Sequence, residues 1–395
     1  MWLTEALYAR PDGSFAVADI EVEGGTIAQI APPAHRAGAV DCSARVVIPG
    51  LVNGHFHSQT SLLRGLDDGL ELFDWFGDSA AGRRQGEIGA WLDDPSNVDE
   101  VAAVVRHEYV ELLRQGVTFV GDSGCSELSP AVLAAAGDAA GLRVVPQAYD
   151  DWIERLDDRE RYTVNIEPEE DLTPAALDRA SAYDGVRFAM HCLESRQRRE
   201  IVEKNWGMST VRLLAERDLL AGTILFHACE IDADDLALIV SSGASIMHCP
   251  VSNLAIHGKA PAVPEWVRAG ATIGLGTDWG DLDMWSTIRT AYLLVRTSRA
   301  EVLRMATRGG ALGYGRDDLG EIAVGRAADL VFLDTERLRP YEERTIAFAI
   351  FAAGGPARDV MVGGDWVIRD GVPTRIDAGA VLADYRRICT SLGLR

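Results

Sequence analysis

The chain has 395 residues, 47% of them hydrophobic and 25% charged, with a formal net charge of −22, the make-up of a soluble globular enzyme with an acidic surface. That charge argues against nucleic acid or an anionic membrane as a partner. Six cysteines with no CxxC pair suggest neither a disulfide framework nor a structural zinc knuckle, so a reducing cytoplasm is the expected compartment.

In chain order, the N-terminus Met1-Trp-Leu-Thr-Glu-Ala-Leu-Tyr lacks a basic and then apolar leader, so no signal peptide is expected. Residues 1–49 alternate and turn, as in Phe15–Glu23 and then Gly24–Ile30, which reads as short strands joined by glycine turns. Strand candidates follow at Val46–His55, Val117–Asp122, Arg143–Ala148, Tyr162–Ile166, Val186–His191, Thr223–His227, Ser245–His248 and Thr272–Gly276. Helical patterns such as Val98–Gln115, Met208–Arg217 and Ala233–Ser241 lie between them, the arithmetic of an α/β chain folded as a (β/α)8 TIM-like barrel. A doubly wound open sheet is the competing reading, but it would require an early glycine-rich phosphate loop that is absent. Past residue 320 the short-strand texture returns in Asp329–Asp334 and Val360–Ile368, while the longest apolar run, Ile346–Ala353, is far short of a membrane span. The expected domains are therefore 50–319 as a hydrolase barrel, and 1–49 plus 320–395 as one composite β-sandwich.

The ends of these strands carry the chemistry. His55 and His57 stand two apart at the end of the first strand, and residues i and i+2 share a strand face, so both imidazoles can converge on one ion. His191, His227, His248 and Asp278 end the fifth to eighth strands, and in a barrel all such ends open on one face. Imidazoles with a carboxylate suit zinc, or iron or manganese, and such an ion would generate hydroxide near neutrality. Glu194, in the loop after His191, is the candidate to shuttle a proton to the leaving group. Each residue also has a plain structural reading. His248 could be a satisfied hydrogen-bonding residue, Asp278 a helix cap, and Glu194 a solvated charge among Ser195, Arg196, Arg198 and Arg199. Cys192 and Cys249 directly follow histidines and should face the helical layer, which leaves Cys229 as an outlying thiolate candidate. His35 in a polar loop and His107 in a helix carry no signal.

Taken together, these pieces resemble the amidohydrolase superfamily, and within it the aminohydrolase and chlorohydrolase branch of S-adenosylhomocysteine/methylthioadenosine deaminases, guanine deaminases and triazine hydrolases. The resemblance rests on Pro49–His57, Ser61–Gly65 followed by Phe73-Asp-Trp75, His191–Glu194, Phe226-His227, His248–Asn253, Gly274–Asp278 and Gly325–Val331, and it covers nearly the whole chain. It implies one metal ion, zinc first, on His55, His57, His191 and Asp278. Glu194 and His227 would then handle protons and the leaving group, and Asp278 would take the proton of the attacking water. Binuclear relatives use a carboxylated lysine after strand four, and the only lysines here, Lys204 and Lys259, cannot occupy that place. Gln59, Trp75 and Trp279 are the expected substrate contacts, with His248 and Asn253 behind the site. The implied reaction is hydrolytic deamination of a purine, pterin, pyrimidine or triazine. Dechlorination or cyclic-amide opening is the nearer alternative, and a catalytically dead scaffold the distant one. A small heterocycle is the expected partner and a homodimer the expected assembly. Two departures, the short stretch between strands three and five and the bulky Trp279 after Asp278, fall in substrate-contacting loops.

Overall fold

The apolar run from Arg45 to Phe56 forms two strands rather than one. In this computed structural model, which describes residues 1–66, 69–70, 72–126, 130–149, 161–342 and 344–395, Arg45–Pro49 pairs antiparallel with Leu330–Asp334. Leu51–Phe56 pairs in parallel with Val117–Asp122. The expected strand Val46–His55 is thus divided between two sheets at Pro49-Gly50. Proline has no N–H with which to continue a ladder, and the Gly50 N–H turns to the Asp329 carbonyl at 2.9 Å. A Cβ on Gly50 would lie 2.0 Å from Thr118 Oγ1, so only glycine lets the chain cross this close to the neighbouring strand.

Eight parallel strands follow one another in the second sheet, in sequence order. They are Leu51–Phe56, Val117–Asp122, Arg143–Tyr149, Thr163–Asn165, Arg187–Cys192, Ile224–His227, Ser245–His248 and Thr272–Leu275. A parallel bridge between Phe56 and Asp278 joins the first strand to the end of the eighth and closes the barrel. Helices between the strands cover the outside; Val98–Gln115 shows why, burying Val101, Val104, Val105, Leu112 and Leu113 along one side. Inside, Val52, Phe119, Ala189, Phe226 and Met247 pack together, and Tyr314 enters from below to give its hydroxyl to the Gly54 carbonyl at 2.8 Å.

The two chain ends meet in one mixed sheet of nine strands. It curls, so that the Ile27 N–H reaches the Arg326 carbonyl and the Ala328 N–H reaches the Gly25 carbonyl. Leu3, Ile20, Val22, Ile27, Val47, Leu330, Phe332 and Met361 fill the space it encloses. The last helix, Ala378–Ser391, packs Ile388 among Leu62, Leu92, Val101 and Val104 of the barrel's outer layer. Among the described residues, no helix is long and apolar enough to cross a membrane.

Candidate active site

Three imidazoles and one carboxylate meet where the barrel closes. The ligand atoms of His55, His57, His191 and Asp278 all lie within 4.8 Å of one another. His55 Nε2 is 3.1 Å and His57 Nε2 3.4 Å from Asp278 Oδ1, and the Nε2 atoms of His57 and His191 are 3.4 Å apart. Backbone geometry makes the meeting possible. Asp278 has φ of 63°, and Leu193 and His227, which bracket the other side of the site, have φ of 46° and 65°. Non-glycine residues in the left-handed region are uncommon, and here they turn side chains back over the pocket at the ends of three strands.

The imidazoles are oriented and kept neutral by their surroundings. His57 Nδ1 donates to the Gly124 carbonyl at 2.7 Å, which leaves Nε2 as the lone pair facing the cluster. His55 stacks on Phe226 with ring centroids 3.8 Å apart. Burial pushes the His55 pKa down to about 4 and that of His191 well below its ordinary value, so both are neutral at physiological pH. Burial alone would raise the Asp278 pKa, but positive charge facing it, from His227, His55 and His57 whenever they are protonated, holds the carboxyl well below the usual range. Ser252 also gives its hydroxyl to Asp278 Oδ2. Converging lone pairs with no proton between them repel one another unless a cation lies among them, and this N/O donor set fits zinc, iron or manganese.

Beside this group, His191, Glu194 and His227 form a second set within the same reach. His227 Nδ1 donates to Asn253 Oδ1 at 2.8 Å, so its Nε2 points inward, 3.8 Å from Glu194 Oε1 and 3.9 Å from Asp278 Oδ2. Glu194 is buried, with Oε2 2.7 Å from Arg198 Nη1, and Arg198 also reaches Glu170 at 3.1 Å. It is therefore not a solvated surface charge. Nor does Asp278 cap the helix that follows, since Asp283 caps Met284–Val295. His248 is buried 3.4 Å from the Asn253 amide nitrogen, one step behind His227. Cys192, Cys229 and Cys249 are buried and belong to neither ligand group.

A cavity of about 290 Å³ opens on these groups. Its apolar wall is Leu72, Trp75, Ile256 and Trp279, with the two indoles edge-to-face at 4.6 Å and Trp279 5.6 Å from His57. Its polar wall includes Gln147 and Asn165 from strands three and four, and Glu167 from the loop after strand four. Gln59 is not among the lining residues. It is buried, its amide oxygen accepts from the Cys125 N–H at 2.8 Å, and its own N–H goes to Glu108 at 2.6 Å. It shapes the turn after strand one instead of facing a ligand.

Several supporting residues carry no sequence motif. Asp122 holds the Ser58 and Gly124 N–H groups at 3.0 and 2.7 Å, tying the loop that carries His57 to the loop whose carbonyl orients it. Buried Glu169 accepts the Leu193 N–H at 2.8 Å and fixes the turn that presents Glu194. A carboxylate at the end of strand two was the one visible signal for Asp122; Glu169 offered none.

A parallel barrel with such a cluster at its C-terminal mouth defines a hydrolase of the metal-binding kind. The chain belongs to the amidohydrolase family, whose model matches residues 46–367. It is similar to the 5-methylthioadenosine/S-adenosylhomocysteine deaminase of Natronomonas pharaonis, 28% identical over 99% of this chain and 97% of that one. The enzyme of the same name from Symbiobacterium thermophilum is 27% identical over 94% and 93%. Among solved structures, an adenosine deaminase from Xanthomonas campestris with bound zinc aligns with a TM-score of 0.85 at 24% identity, covering 99% of this chain and 98% of that one. Atrazine chlorohydrolase from Arthrobacter aurescens complexed with zinc gives 0.85 at 20% identity, covering 99% of each. Both share the fold.

Proposed function

We propose that the enzyme deaminates a planar, amino-substituted nitrogen heterocycle with the help of one zinc ion held by His55, His57, His191 and Asp278. The observation that carries this reading is a cavity lined by both Glu194 and Asp278 and by a pair of indoles, with His227 Nε2 behind it at 3.8 Å from Glu194 and 3.9 Å from Asp278. When bound, the ion lowers the pKa of a coordinated water, so that a nucleophile exists near neutral pH.

The chain's own groups do the rest. Asp278, ionised and bonded to Ser252, takes the proton of the attacking water through Oδ2. His227, with its Nδ1–H held by Asn253, directs the Nε2 lone pair at the same space, where it accepts a proton and relays it towards the leaving group. Glu194 carries a proton to the departing nitrogen from a position fixed by Arg198. Trp279, backed edge-to-face by the buried Trp75, holds a flat ring by stacking, worth roughly 0.5–1.5 kcal/mol beyond area burial. The six cysteines are all free, in keeping with a cytoplasmic location.

The test is product release by the zinc-loaded protein from a panel of aminated purines, pterins, pyrimidines and triazines, with chlorinated triazines and cyclic amides alongside. Ammonia from at least one aminated ring supports deamination. Chloride release alone, or turnover of saturated cyclic amides alone, replaces it with the corresponding hydrolysis.

A further inference from the structure

At the other end of the barrel a cavity of about 490 Å³ is lined by Arg143, Arg161, Arg187, Arg316 and Arg375, with Asp138 as the one lining carboxylate among the described residues. Arg143 and Arg187 open strands three and five, so this is the N-terminal mouth, remote from the candidate active site. A second cavity of about 860 Å³ adjoins it and shares Tyr162, Arg187, Tyr314 and Arg316. In a chain with net charge −22, so dense a cluster of guanidinium groups is not a product of overall composition.

The arginines differ in what compensates them. Arg143 is held by a two-bond fork on buried Asp329, at 2.9 and 3.0 Å. Arg161, Arg316 and Arg375 pair with Asp138, Asp318 and Asp365, each pair partly or largely exposed. Arg187 has no carboxylate partner among the described residues. Its Nη1 contacts only the carbonyls of Gly222 and Gly313, at 3.2 and 3.4 Å. The backbone nevertheless makes room for it. Gly315 has φ of +69°, and a Cβ there would lie 2.3 Å from Arg187 Nη2. Partial removal from water lowers the pKa of Arg187, as expected of a cation without a counter-charge.

We propose that this cavity binds a phosphoryl group, as free phosphate or as a phosphate ester, with the Arg187 guanidinium as its anchor. Guanidinium forks match the oxygen spacing of a phosphoryl group, and a doubly charged anion answers several of them at once. Exposed ion pairs contribute little, so Arg161, Arg316 and Arg375 can turn from their aspartates towards an incoming anion at small cost. The adjoining cavity leaves space for a substituent on the phosphate.

The experiment is calorimetric titration of the metal-loaded, full-length protein with inorganic phosphate, pyrophosphate and a nucleoside monophosphate. Acetate and chloride at matched ionic strength are the controls, since exposed charges are screened by salt. Saturable phosphate or ester binding with a Kd below about 1 mM, weakened at least tenfold in Arg187→Met, is the expected result. Phosphate held at the active-site metal would survive that substitution unchanged. Should Arg187→Met fail to fold by circular dichroism, the double variant Arg316→Gln/Arg375→Gln is held to the same criterion. Absence of saturable binding, or a loss of less than tenfold in the folded variant, overturns the proposal. Tighter binding of the ester than of free phosphate assigns the adjoining cavity to its substituent, and equal binding leaves free phosphate as the ligand.

Discussion

The two mouths of the barrel are built from the same strands and have opposite chemistry. Strand five carries both: Arg187 opens it and His191 lies four residues on, a spacing that places both on one face. Burial acts on the two in the same direction, lowering the affinity of each for its proton. The outcomes differ because imidazole can give its proton up and become a neutral ligand, whereas guanidinium stays charged. Desolvation therefore leaves neutral imidazoles at one end and an uncompensated positive charge at the other. The C-terminal mouth is also where the chain takes left-handed turns at Leu193, His227 and Asp278, which bring loop residues over the opening.

The contrast is broken most severely at the cation end. His55→Ala or Asp278→Ala is expected to lose bound metal and turnover together, and elemental analysis beside an ammonia assay checks both. Glu194→Gln should keep the metal and lose roughly 10²-fold or more in turnover, as expected for a missing general acid/base; a metal-free Glu194→Gln protein would reverse the assignment of roles. Asn253→Ala frees the His227 tautomer, and a fall in turnover of roughly 10–100-fold with the metal retained is expected. Trp279→Ala should raise KM by about tenfold for a planar substrate with little change in kcat, which steady-state kinetics resolves.

A separate effect concerns stability and leaves the site itself untouched. Burial pushes the Glu108 pKa up to about 7 from its ordinary 4.5, so the folded protein holds a proton there that the unfolded chain releases. Its contribution is present below about 4.5 and is lost as pH rises towards 7, by roughly 3 kcal/mol at most. Glu108→Gln should flatten that part of the stability curve in denaturant titrations run at several pH values.

Much of this was legible because the signals are periodic. Strand and helix patterns outlined the barrel, with boundaries within a residue or two for strands such as Ser245–His248 and helices such as Val98–Gln115. The histidines and Asp278 stood out because they sit where strands end. The division at Pro49-Gly50 was hidden because both halves of the run are buried, and burial erases the alternation that would mark a change of sheet. Gln59, expected among the substrate contacts, has a left-handed backbone with φ of 71° and bonds into the loop after strand one. The arginine cluster drew no notice because its members are scattered from Arg143 to Arg375, and only the closed barrel brings them together.

The bridge between Phe56 and Asp278 has a consequence for how the protein is made. His55 and His57 leave the ribosome early, while Asp278 emerges more than half a chain length later. The full donor set cannot exist until the first strand has waited for the last and the seam between them has shut. Until then only part of the proposed donor set can come together, and the complete cluster forms as a late product of folding, once the ring has closed.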